Sequence, residues 1–315
     1  MFNIIQKKEN GFNKIILSDK KGKCNAEILP ECGAILNAFT IFKKGNVVNI
    51  IEGYENGEDF NENCESKGFR SAKLSPFVCR LKNGIYLYKK KEHKVKGYYH
   101  GKHALHGLIY RKPFQVVKTK KSKDSAWILL RYTYRADDTG YPFFYTCDIR
   151  YELQKNYKLI ITTTITNNGK TKIPISDGWH PYFTLGRSIN DLTMQMNVSG
   201  KLVFDNELIP TGKTEAFTHF SKFSTIGETA FDHCFKIKKG YKSALQLKNP
   251  ENGLVLKIQP KKAYPFLQIY TAPHRKSIAI ENLSAAPDAF NNKIGLLVLE
   301  KNKSKKFTTA YQVNV

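Results

Sequence analysis

The sequence predicts an all-β fold in which antiparallel strands stack as sheets. Three observations carry this. In Tyr145–Leu153 the apolar Tyr145, Cys147, Ile149, Tyr151 and Leu153 alternate with Thr146, Asp148, Arg150 and Glu152, the period of a half-buried strand. Leu159–Thr166 is almost entirely β-branched, which suits a strand and penalises a helix. No long segment joins helical period to capping residues.

Taken along the chain, a short helix is expected at Asn61–Lys67. Lys89–His103 (KKKEHKVKGYYHGKH) reads as a solvated hairpin or loop. Trp127–Tyr134 is a strand, and the two strands above follow it. Asn167-Asn168-Gly169 then supplies a turn. Thr225–Phe231 is the alternative position for that short helix. Ser243–Lys248, Leu254–Gln259, Phe266–Thr271, Ser277–Glu281, Gly295–Leu299 and Phe307–Val315 read as strands separated by polar, Gly- or Pro-containing turns. Lys301–Lys306 reads as a solvated turn before the last strand.

The 315 residues are 41% hydrophobic, enough for a sizeable core. No Pro-, Gly- or Ser-rich linker and no fixed repeat divides them, so residues 1–315 are expected to form one domain. The net charge of +24 invites a nucleic-acid or membrane-surface reading. Only eight of the 51 basic residues are Arg, however, and bidentate phosphate or base readout favours Arg. Scattered Lys fits a solvated surface, so neither nucleic acid nor membrane is expected as a partner. Six cysteines without a CxxC pair read as free thiols, with Cys79, Cys147 and Cys234 buried in apolar runs. With no apolar run of signal-peptide or membrane-span length, the expected compartment is the cytoplasm.

Three stretches combine titratable groups with Gly, Pro and aromatics. In Ala104–Leu108 a histidine, His106, abuts Gly107; taken alone, a loop residue without a role is the better reading. In Asp177–Phe183, His180 lies among Trp179, Tyr182 and Phe183. Aromatics suit the apolar face of a sugar ring, and His is a ready proton donor. A core histidine among packed aromatics is the plainer alternative. In Ile278–Leu283, Glu281 ends an apolar strand, where burial raises a carboxyl toward the pKa of a working base. A strand-end ion pair would look the same. Arg80 follows the apolar Pro76–Cys79, and Asp232 sits in Phe231-Asp232-His233-Cys234-Phe235. The Cys/His pair there suggests zinc, but no second pair has ligand spacing, so no metal is expected.

In this order, these stretches resemble the aldose 1-epimerase (mutarotase) family, in its broader branch beyond the galactose enzymes. The likeness includes Ala26–Phe39 with its Gly33-Ala34 step, Arg80 with Asn83-Gly84, and Leu105-His106-Gly107. It continues through Asp138–Pro142, His180-Pro181-Tyr182-Phe183, Ile209–Gly212, Asp232–Phe235, and Glu281 with Pro287–Phe290. The resemblance implies a galactose mutarotase-like β-supersandwich, a small-molecule sugar substrate and no cofactor. It implies Glu281 as general base, His180 as general acid and His106 as a hydrogen-bonding partner of the ring oxygen. Arg80, Asp232, Trp179 and Tyr182 would bind the sugar. Trp179 before His180 and Asn282-Leu283 after Glu281 depart from the narrow galactose pattern. A neutral aldose is the expected substrate. A hexose phosphate and a non-catalytic carbohydrate-binding role are the alternatives. A glycoside hydrolase using Glu281 and Asp232 has no need of two histidines.

Overall fold

The computed structural model describes residues 1–315. Its body is three antiparallel sheets. The first is a five-stranded meander in chain order, from Asn3–Glu9 to Asn46–Asn49. The second has nine strands. Gln115–Lys121, Ser125–Arg135, Phe144–Gln154 and Lys158–Asn167 follow one another, then Ser304–Asn314 returns beside the last of them. The third has eight strands and is centred on Asp232–Ile237, Phe266–Thr271 and Ile278–Leu283. This is the all-β, stacked-sheet architecture that the period-two pattern predicts.

The alternation in Tyr145–Leu153 works as expected. Phe144–Gln154 pairs along its whole length with Ser125–Arg135, and its five odd-numbered apolar residues are buried. On the other face Arg131 meets Asp148 at 2.6 Å. A cluster of 62 buried hydrophobic residues reaches from Phe2 to Val313 and draws on all three sheets. A cluster of 18, including Phe69, Cys79, Leu105, Tyr110 and Cys234, underlies the pocket described below.

The short helices differ from expectation. One covers Gly57–Asn63, because the Asn56 side chain accepts the Asp59 N–H and starts it four residues before Asn61. Thr225–Phe231 is not helical: Ser224–Thr225 is a strand and Gly227 turns the chain at φ +52°. A four-residue turn of helix at Ala289–Asn292 carries no sequence signal of its own. Lys89–His103 forms two hairpin segments, with Lys89, Lys90, Lys91, Lys94, Lys96 and Lys102 exposed. Lys305 and Lys306 belong to the last strand, which starts at Ser304.

Candidate active site

The eight-stranded sheet sets two rows of side chains on one face. Gln268 stands opposite Glu281 and Tyr270 opposite Ala279. The neighbouring strand places Cys234 against Gln268 and Asp232 against Tyr270. On the other side, Trp179 pairs with Asn282 and Tyr182 with Ala279, so the run Gly178–Phe183 keeps one register past Pro181. His180 therefore lies opposite Glu281. Residues two apart share a face, so His180, Glu281, Gln268 and Cys234 form one row and Tyr182, Ala279, Tyr270 and Asp232 the next.

A small sheet makes the first wall. Leu105 pairs with Arg80, and the His106 N–H donates to the Cys79 carbonyl at 2.9 Å. The Leu108 N–H donates to the Ser75 carbonyl at 2.7 Å. Gly107 between them is at φ +82°, and a Cβ there would lie 2.2 Å from the Ser75 oxygen. The His-Gly step is thus a backbone requirement. Asp288 locks the Arg80 segment: its N–H donates to the Arg80 carbonyl at 2.7 Å, and its carboxylate accepts the Lys82 N–H at 2.9 Å. The facing wall is Glu65–Phe69. Gly68, at φ +78°, leaves room for the Tyr182 hydroxyl, which a Cβ would approach to 2.3 Å. Phe69, Cys79 and His106 all have left-handed backbones, at φ 57°, 49° and 61°. Such residues cost about 1–2 kcal/mol each and concentrate at functional sites.

The cavity over these walls is about 330 Å³, open to solvent on one side, and has Arg80, His106, His180, Tyr182, Asp232 and Glu281 on its lining, a size for a small ligand. An open groove of about 680 Å³ between Gln6 and Val116 is larger but brings no acid and histidine together.

His180 Nε2 is 3.2 Å from Glu281 Oε1, and both side chains are almost fully buried. The Cys79 thiol donates weakly to Glu281 Oε2 at 3.7 Å. The His106 and His180 rings meet edge to face at 4.8 Å, and the His180 and Tyr182 rings stack at 5.3 Å. The Gln268 amide donates to Asp232 Oδ1 at 2.8 Å. Burial pushes the Glu281 carboxyl well above its usual range, and the nearby Asp232 charge adds to it. Burial lowers His180 to about 4. It also lowers His106 well below an ordinary histidine, with the charges of His180 and Arg80 next in importance. Both shifts favour the neutral forms, so burial sets the pair's proton on Glu281 rather than making a fixed ion pair with His180.

Trp179 is a correction. Strand alternation turns it away from the cavity into the core, where its ring meets Tyr151 at 5.9 Å and Lys73 Nζ at 4.5 Å. It does not line the pocket. His103 is also not solvated: it is buried, and its Nδ1 accepts the Asn83 N–H at 3.0 Å. Sequence reasoning passed over His100, Phe69, Gln268, Tyr270 and Cys79, all of which line the cavity. A signal existed for Gln268, an amide in the otherwise apolar FLQIY run. Asp232, His233 and Cys234 alternate along one strand and cannot jointly face a metal. Cys79, His106 and Glu281, distant in sequence, do bring donor atoms within 4.8 Å of one another.

The sequence pattern of the aldose 1-epimerase family matches residues 14–312. A curated relative, the uncharacterized protein YihR of Escherichia coli K12, is 27% identical over 237 residues, covering 73% of this chain and 74% of its own. A galactose mutarotase-like protein from Clostridium acetobutylicum superposes with a TM-score of 0.88 at 19% identity, covering 99% of this chain and 98% of the other. Galactose 1-epimerase from Lactobacillus acidophilus superposes at 0.82 with 18% identity, covering 100% and 98%. These structures share the galactose mutarotase-like fold. With its family pattern running almost end to end, the chain belongs to the aldose 1-epimerase family and is an isomerase of the sugar-epimerase kind.

Proposed function

We propose that the protein interconverts the α and β anomers of a neutral aldohexose. The observation that carries this reading is the 3.2 Å approach of His180 to Glu281 on one buried face, with His106 beside them. Opening a hemiacetal removes a proton from the anomeric hydroxyl and delivers one to the ring oxygen. Both oxygens hang on the same carbon, so an acid and a base in close contact can reach both. Once the pair's proton has crossed the 3.2 Å contact from Glu281 to His180, Glu281 takes the hydroxyl proton and His180 protonates the ring oxygen. His106 hydrogen-bonds the charge that moves there. Rotation about C1–C2 and reclosure on the other face reverses the two roles. Reversal is easiest when acid and base have similar affinities for the proton, which a buried Glu281 approaches. Arg80, Asp232 and Tyr182 orient the ring.

A neutral sugar fits better than a phosphorylated one. Three carboxylates, Glu65, Asp232 and Glu281, line the cavity against one arginine, and none of the lysines does. Free and largely buried thiols favour a reducing compartment such as the cytoplasm. The test is magnetisation-transfer NMR between α and β anomeric protons of D-glucose and D-galactose, with hexose 6-phosphates alongside. Enhanced exchange of a neutral hexose supports the reading. Enhancement confined to the phosphates would replace it with a phosphosugar epimerase. Binding without any exchange would make the protein a carbohydrate binder.

A further inference from the structure

We propose that Cys79, His106 and Glu281 form an inhibitory zinc site on the floor of the pocket. The three donor groups come from separate segments, lie within 4.8 Å of one another and are all buried. Cys79 Sγ and Glu281 Oε2 are 3.7 Å apart. Zinc bonds of about 2.3 Å to sulfur and 2.1 Å to oxygen, at the tetrahedral angle, require a separation of about 3.6 Å. That edge of the tetrahedron is therefore already set, and a His106 ring nitrogen lies within 4.8 Å of both its ends. His106 Nδ1 is buried and has no hydrogen-bond partner. The fourth position opens into the cavity, where water or a sugar hydroxyl fits. His180 Nε2, 3.2 Å from the other Glu281 oxygen, supplies the outer hydrogen bond that orients a ligating carboxylate.

A thiolate, an imidazole and a carboxylate select zinc over magnesium or calcium. Binding releases the Cys79 thiol proton to solvent, together with the Glu281 proton where that carboxyl is protonated, so affinity rises with pH. The metal occupies the lone pairs that the proposed base needs. Inhibition rests on the epimerase reading; metal capture does not.

The test titrates metal-free protein with Co²⁺ and follows the thiolate-to-cobalt charge-transfer absorption. One equivalent is expected to produce the band, and Zn²⁺ to displace it. Cys79→Ser, checked for an unchanged circular dichroism spectrum, should weaken Co²⁺ binding by more than roughly 100-fold, beyond what loss of an outer-shell partner causes. The same Zn²⁺ titration should progressively suppress anomer exchange by the wild type, with recovery on chelation. Absence of the band in wild type, or a band that survives in Cys79→Ser, overturns the site. A band without inhibition overturns its regulatory effect. Cobalt binding in a protein that leaves every anomer at its spontaneous rate would sink the epimerase reading and leave the metal site standing.

Discussion

His180 and Glu281 acquire opposite shifts from one cause, burial, and the direction of each predicts a pH dependence. The pair works when it holds one proton. Adding a second is resisted down to about pH 4, where His180 titrates, and losing the first is delayed by the raised Glu281. The rate, kcat/KM, is expected to be flat through neutrality, with its acid limb near pH 4; a limb at the ordinary histidine value would contradict the site. Stability carries the same imprint. A histidine depressed from 6.5 to about 4 stabilises the fold above 6.5 and loses that contribution as pH falls toward 4. At pH 5 the loss is roughly 2 kcal/mol. Urea melts at pH 7 and 5 should show a smaller difference in His180→Asn than in wild type; an equal difference would deny the shift. The residue types were legible in the sequence, because a carboxyl in IAIENL and a histidine in GWHPYF are costly without a purpose. The orientation of Trp179 was not. Its direction is set by the parity of its strand against Glu281, a fact of pairing rather than composition.

At the scale of elements, the strand bearing His180 is clamped from beneath. Lys73 and Asp177 are fully buried and 2.6 Å apart, and Lys73 Nζ also donates to the Gly178 carbonyl at 3.0 Å. The Tyr264 hydroxyl donates to Asp177 at 2.5 Å. Lys73→Met would strand a buried carboxylate, at a cost of about 3–5 kcal/mol. Adding Asp177→Leu should recover part of that, and double-mutant denaturation measures it. No recovery would show that the pair is not coupled. Gly107→Ala drives a Cβ into the Ser75 carbonyl from a left-handed backbone. It is expected to lower both melting temperature and kcat, because His106 hangs on that turn; a variant with unchanged turnover would detach His106 from the reaction. Strands were readable because alternation is local. The helix at Gly57–Asn63 was displaced because a single Asn56 cap decided its start. The pocket walls were invisible because His106 N–H to Cys79 and Asp288 to Lys82 are long-range contacts made by loops.

For the whole molecule, the charge of +24 lies on scattered lysines, while the cavity balances three carboxylates against Arg80. Turnover of a neutral hexose should change less than about twofold between about 50 and 200 mM salt, since no counterions are released on binding; a steep fall would point to an anionic substrate. The hydrophobic cluster that spans Phe2 to Val313 predicts a single cooperative unfolding transition for residues 1–315, and two resolved calorimetric peaks would contradict one domain. Net charge and fold class were plain in the composition and the period-two pattern. The absence of those lysines from the cavity needed the sheets to be assembled. The most direct test of the account is polarimetry of fresh α-D-glucose and α-D-galactose with wild type and Glu281→Gln. Wild type is predicted to accelerate mutarotation of at least one sugar, and the variant to lose about 10²–10⁴-fold while still binding it. A variant as fast as wild type would remove Glu281 from the chemistry, and a wild type that leaves both sugars at their spontaneous rate would contradict neutral-hexose mutarotation altogether.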